Sequence, residues 1–174
     1  MSQQIIKNEG AFIQDIRTAI NANFSELYSQ VLVPVVKTGA YTVTAADSGS
    51  IIALSAAAGQ AITLPAASGS GAVYRFVVIT TITSNSTTIK VANASDVIAG
   101  VATMGSAGGT SLSTGTTSTG AVSGQSDTIT FNGTTQGGII GTYVDVFDMA
   151  ANLFVVEVHG VASGVAITPF SATV

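Results

Sequence analysis

The sequence predicts a mainly β protein: an antiparallel β-sandwich or jelly-roll preceded by one N-terminal amphipathic α-helix. Apolar residues step by three and four only between Gly10 and Gln30. From Gly39 onward, short β-branched runs recur between turns rich in Gly, Ser, Asn and Asp, and no second helical stretch follows. The first pattern is that of a helix with one apolar face, and the second that of many short strands joined by tight turns.

The helix comes first. Phe12, Ile13, Ile16, Ile20, Phe24 and Leu27 lie on one stripe, continued by Val31, while Gln14, Asp15, Arg17, Asn21, Ser25 and Glu26 lie opposite. Each large side chain contributes about 1.5–3 kcal/mol when fully buried. The stripe is therefore worth on the order of 10 kcal/mol before ordering entropy is subtracted. An isolated helix of this length is marginal, so the six residues Phe12 to Leu27 form a candidate interface. Two destinations are open: the chain's own β domain, or neighbouring subunits around a three-fold axis. The heptad fit is imperfect, because Asn23 occupies a seam position, which argues against a long coiled coil.

Pro34 sets the latest end of the helix, because the residue before a proline avoids helical angles. Val31–Lys37 reads as an extended connector, giving a helical arm over 1–38 and a β domain over 39–174. In that domain Tyr41, Val43 and Ala45 alternate with threonines, and Asp47-Ser48-Gly49-Ser50 is a turn. Strands are predicted at Ile51–Leu54, Ala61–Leu64, Val73–Thr83, Thr87–Val91, Asp127–Phe131, Gly141–Phe147, Leu153–Val158 and near Val165–Thr168. Val73–Thr83 is the longest β-branched run and reads as a central strand covered on both faces. Residues 104–126, Met104 to Ser126, are uncharged and rich in Gly, Ser and Thr. They read as a long loop, either packed on its own domain or reaching a neighbour.

Composition narrows the function. Charged residues are 8% of the chain against hydrophobic residues at 47%, where ordinary soluble domains carry about 25% charged. So little repulsion suits a subunit whose surface is hidden in an assembly. No run of about 20 apolar residues exists to span a membrane as a helix, Met1–Gly10 has no apolar signal core, and a barrel's aromatic girdles are missing. The five basic residues, Lys7, Arg17, Lys37, Arg75 and Lys90, are scattered in a chain of net charge −4, which argues against nucleic acid. Without cysteine there is no disulfide and no thiolate chemistry.

No enzyme constellation stands out. His159, the single histidine, shares a strand face with Glu157, but a metal site needs three or four ligands. Asp145, alternating with Val144 and Val146, is placed on the solvent side of a strand, and Asp148 at the start of the turn around Ala150-Ala151-Asn152. Gly105-Ser106-Ala107-Gly108-Gly109 lacks the lysine and hydroxyl of a phosphate loop. The expectation is a non-enzyme with no catalytic residues, no cofactor and no metal.

Two stretches carry a resemblance. Ile16–Tyr28, IRTAINANFSELY, resembles a helix common near the start of bacteriophage tail-fibre, baseplate and head-associated proteins. Gly39–Val78, GAYTVTAADSGSIIALSAAAGQAITLPAASGSGAVYRFVV, resembles a β module recurrent in phage structural proteins, including capsid decoration proteins. Together they cover about a third of the chain, and nothing specific is similar beyond Thr83. The resemblance implies a virion protein: a homotrimeric decoration or cement protein on the capsid surface, made in the bacterial cytoplasm, with the major capsid protein as partner and no nucleic acid or membrane. A tail-fibre, tail-tip or baseplate subunit is the alternative. Short length and the lack of an internal repeat favour decoration. A host-attaching, sugar-binding β-sandwich is a third class, disfavoured by the absence of Trp.

Overall fold

The computed structural model describes residues 10, 13–26, 33–106, 116–118 and 126–174. The chain divides into two compact units, Met1–Val33 and Pro34–Val174. In the first, helix α1 covers 13–26, as the apolar period predicts. Phe12, Leu27 and Val31 of the predicted stripe lie outside the described residues.

The second unit is mainly β, with two sheets. The first has six strands in the order β1 (Val35–Lys37), β3 (Ile51–Leu54), β5 (Val73–Val78), β10 (Tyr143–Ala150), β11 (Leu153–Ala162) and β7 (Val97–Ser106), with the short β8 (Thr116–Ser118) added at the β7 edge. The second has five, in the order β12 (Phe170–Ser171), β9 (Thr128–Phe131), β6 (Thr87–Lys90), β4 (Ala61–Thr63) and β2 (Tyr41–Thr42). A three-residue 3₁₀ turn at Ala45–Asp47 joins β2 to β3.

These sheets are mixed, so the expected antiparallel sandwich or jelly-roll is corrected. From β1 to β6 each strand lies in the sheet opposite its predecessor. Strands that neighbour one another in a sheet are thus two apart in sequence, and each full turn of chain brings the backbone back in the same direction. The pairs β1–β3, β3–β5, β2–β4 and β4–β6 are accordingly parallel. After β6 the order changes. Strands β9, β10, β11 and β12 add antiparallel, while β7 runs parallel to β11. Regular strand spacing and glycine turns are shared by hairpin meanders and by such a coil, so the sequence pattern does not separate them.

Alternation within each strand builds the core. Across the second sheet Tyr41, Ile62, Ile89, Ile129 and Phe170 stand in one register row. Across the first, Ile52, Phe76, Val144, Val158 and Ala102 form another. All but Tyr41 are buried, and they join Leu64, Tyr74, Phe131 and Phe154 in one cluster, with Tyr41 packed against it.

The last strand is β12 (Phe170–Ser171) rather than Val165–Thr168, where Val165 and Ile167 are exposed and the chain is not a strand. Three strands escaped the sequence reading, of which the short β8 lies inside the predicted 104–126 loop. The connector residues Val35–Lys37 are β1, an edge strand. Strand β7 was hidden by its small residues, Ala99, Gly100, Ala102 and Gly105. At Gly100 the small residue is required because β11 lies close: a Cβ there would run into the backbone carbonyl of Val156. Strand β7 also extends into the predicted 104–126 loop, where Met104 is fully buried. Residues 107–115 and 119–125 lie outside the described residues.

Aspartates tie the loops to the sheets. Asp148 faces inward near the end of β10 and is 2% exposed, rather than starting the turn. It accepts hydrogen bonds from the backbone N–H groups of Ser68, Gly69 and Ser70, at 3.0, 2.7 and 3.1 Å. The Ser68 and Ser70 hydroxyls add two more, at 3.0 and 2.6 Å. Asp127 likewise receives the Thr173 and Val174 amides, and Asp96 the Ala67 amide. Burial raises the pKa of Asp148, but the bonds from Ser70, Gly69 and Ser68 outweigh it and hold the value at about 2.

Because the folded value lies below the ordinary 3.8, this stabilisation is present above pH 3.8 and is lost as pH falls towards about 2. It amounts to about 2 kcal/mol. Asp148→Ala should therefore lower the unfolding free energy near neutral pH by about 2 kcal/mol, since it removes the charged acceptor shared by three backbone N–H groups of the exposed Ser68–Ser70 turn. In urea titrations the gap between wild type and variant should narrow from pH 3.8 down to about 2. A gap that stays constant across that range would refute the role given to the carboxylate.

Candidate interaction surfaces

The predicted interface residues fall on a real helical stripe. Ile13, Ile16, Ile20 and Phe24 are 51, 41, 46 and 55% exposed, so four large apolar side chains of α1 lie open to solvent. Phe12 and Leu27, the other two members, lie outside the described residues.

A second apolar surface was not singled out from sequence. Outward residues of the first sheet form register rows. One row runs Ile51, Arg75, Asp145, Glu157, Val101. The next runs Val73, Phe147, Val155, Ala99. Val73, Val155, Val161, Ile51 and Val101 are each 37–41% exposed. The outward residues of the second sheet differ in kind: Thr63, Thr88, Lys90 and Thr130 dominate there. Among the described residues of the β unit, the first sheet is thus apolar on both faces and covered on one. This corrects the reading of Val73–Thr83 as a doubly covered strand. The strand ends at Val78, and Tyr74, Phe76 and Val78 are buried while Val73 and Arg75 are exposed. The signal was present in the near-continuous apolar runs of β5 and β11, which are typical of strands buried on two sides.

One polar cluster crosses this face. Arg75 Nε and Nη2 donate to the two oxygens of Asp145, each at 2.6 Å. Asp145 points outward as its alternation predicts, yet it is only 8% exposed, because the guanidinium lies against it. The hydrogen bond to Asp145 raises the Arg75 pKa further above its ordinary value. On the next strand His159 Nε2 lies 2.8 Å from Glu157 Oε1, and its ring stacks on Tyr143 at 4.7 Å between centroids. The predicted His–Glu pairing therefore exists, on an exposed strand face. Ile51, Arg75, Val77 and Tyr143 line an open depression of about 280 Å³ beside it.

Other charges of the β unit are turned to structural use. Asp47 accepts from the Tyr41 hydroxyl at 2.8 Å and from the Thr44 amide at 2.7 Å, and Lys37 Nζ sits 3.4 Å above the Tyr41 ring. Burial opposes ionisation of Asp47, but the Thr44 and Tyr41 bonds and nearby Lys37 lower its pKa. All five aspartates of this unit, at 47, 96, 127, 145 and 148, are engaged in hydrogen bonds. Among the described residues, no three His, Asp or Glu side chains gather as a metal site would require, and no helix is long and apolar enough to cross a membrane. Comparison with protein-family models, curated proteins and solved structures finds no match for this chain.

The Arg75–Asp145 pair is unequal in burial, with side chains 51 and 11% exposed. Arg75→Ala leaves a shielded carboxylate unpaired and should cost about 2 kcal/mol. Asp145→Ala leaves a cation in water and should cost about 1 kcal/mol or less. Equal losses in urea unfolding would contradict the asymmetry.

Proposed function

We propose that this chain is a structural subunit of a bacteriophage particle, a capsid decoration or cement protein that acts by self-association and surface complementarity rather than by catalysis. The observation that carries the reading is the pair of open apolar surfaces on a chain with so few free charges. In a monomer such surfaces are a liability, and in a subunit they are contacts. The aspartates of the β unit are engaged in hydrogen bonds within the chain, which leaves few charged side chains free on its surface. The likeness of Ile16–Tyr28 and Gly39–Val78 to phage structural proteins supplies the particle.

In this reading α1 gathers copies about a three-fold axis, making a homotrimer, and the trimer binds the assembled major capsid protein. Ligands that bind only the assembled shell stabilise it by mass action, so no chemistry is required. A tail-fibre, tail-tip or baseplate role uses the same helix and differs in abundance.

Copy number in purified virions, measured by quantitative mass spectrometry against the major capsid protein, tests the location. A number comparable to the shell protein is the expected outcome. A small fraction would move the protein to the tail, and absence from the particle would overturn the structural reading. For the helix, Ile16→Asp with Ile20→Asp should abolish the trimer in sedimentation equilibrium, leaving no species larger than a dimer, without changing the thermal unfolding of the β unit. An unchanged mass would remove α1 from the interface.

A further inference from the structure

The uncovered face of the first sheet calls for a partner, and its pattern specifies one. Strand β10 is flanked by β5 on one side and β11 on the other. In the row through Asp145, Arg75 lies on β5 and Glu157 on β11, with Ile51 and Val101 at the two ends. The row therefore reads apolar, positive, negative, negative, apolar. In the next row Val73 and Val155 flank Phe147 in the same way.

We propose that this face is a two-fold contact between two copies of the chain, with the axis running along β10. Rotation about that axis exchanges β5 with β11 and β3 with β7. It lays Arg75 of one copy over Glu157 of the other, Ile51 over Val101 and Val73 over Val155, while Phe147 meets its own counterpart. Asp145 also meets its counterpart, but both of its oxygens are already held by Arg75 of its own chain. The alternatives pair poorly. An axis across the strands sets Arg75 against Arg75, and an axis between β5 and β10 sets Glu157 against Ile51. Like charges opposed at an interface cost several kcal/mol, whereas complementary ones fix the register.

The interface is modest. Five strands about 4.8 Å apart and six residues deep give a footprint of roughly 400 Å² per copy in projection. Contacts of this size are at the weak end of specific association. Such a contact forms by itself at high protein concentration, and within an assembly it adds a second symmetry to contacts made through α1. It does not depend on the virion reading or on the helix.

The test uses the full chain, which has no cysteine of its own. Facing sheets stand about 10 Å apart, too far for a direct disulfide, so a bis-maleimide of about that reach is the probe. All variants carry Ile16→Asp and Ile20→Asp, which removes helix-mediated contact. Phe147→Cys should cross-link to itself at least roughly tenfold faster than Thr88→Cys on the outward face of the second sheet, as proximity raises effective concentration. Val73→Cys should cross-link to Val155→Cys in a mixture and not to itself. Glu157→Lys in the same background, a change at an exposed position, should weaken dimerisation in sedimentation equilibrium by roughly tenfold with unchanged circular dichroism. Phe147→Cys reacting no faster than Thr88→Cys, or Val73→Cys preferring itself, would overturn the proposal. Glu157→Lys reads out the same contact if Phe147→Cys fails to fold.

Discussion

Ile62, Ile89 and Ile129 stand side by side across one sheet, and Ile52, Phe76, Val144 and Val158 across the other, and the two rows share a single core. Each row needs a strand in register from every turn of the chain. Slipping any strand by one residue would turn its buried side chains outward and bring polar ones in. The coil from β1 to β6, the antiparallel strands that follow and the positions of the loops are all set by keeping these rows intact. Side chains that point away from the rows are released from that constraint, which is why the two outer faces can differ so much in character.

Loops in a unit with this little charge still have to satisfy their backbone donors. Buried carboxylates do this at three places: Asp96 for the segment before Ser68, Asp127 for the C-terminal residues and Asp148 for the Ser68–Ser70 turn. A carboxylate can accept several N–H groups at once in a small space, and charge-assisted bonds are stronger than neutral ones. The arrangement leaves the exterior poor in anions although the chain is acidic by count. Stability within one chain and readiness to associate between chains thus come from the same placement of charge.

The first sheet links this economy to assembly. Its strands have the composition of a sheet covered twice, and the described residues of the β unit cover it once. Arg75, Asp145 and Glu157 are charged residues on a valine-rich face and lie in one row, with Tyr143, His159 and Thr103 in the row beside it. Charges confined to one line of an apolar surface restrict how it can be met by a partner, whereas a wholly apolar face would accept many orientations.

Much of this was legible in the residues. The helical period from Ile13 to Phe24, the alternation of Tyr143–Phe147 and Leu153–Val158, and the turn signal at Asp47-Ser48-Gly49 rest on local rules, and local rules are visible in a sequence. The direction of strand pairing was not, because it depends on which sheet the chain enters after each turn. Strand β7 was missed because alanine and glycine suit it only once β11 is known to lie against it. Asp148 looked like a turn residue because its donors lie about eighty positions away, at Ser68–Ser70. The sequence by itself determined a β-rich chain with an amphipathic helix and scarce charge, since composition and period suffice for that. Only the tertiary structure decided that the sheets are mixed and that Arg75, Asp145 and Glu157 share a row on an open apolar face, because those facts arise from pairing between residues distant along the chain.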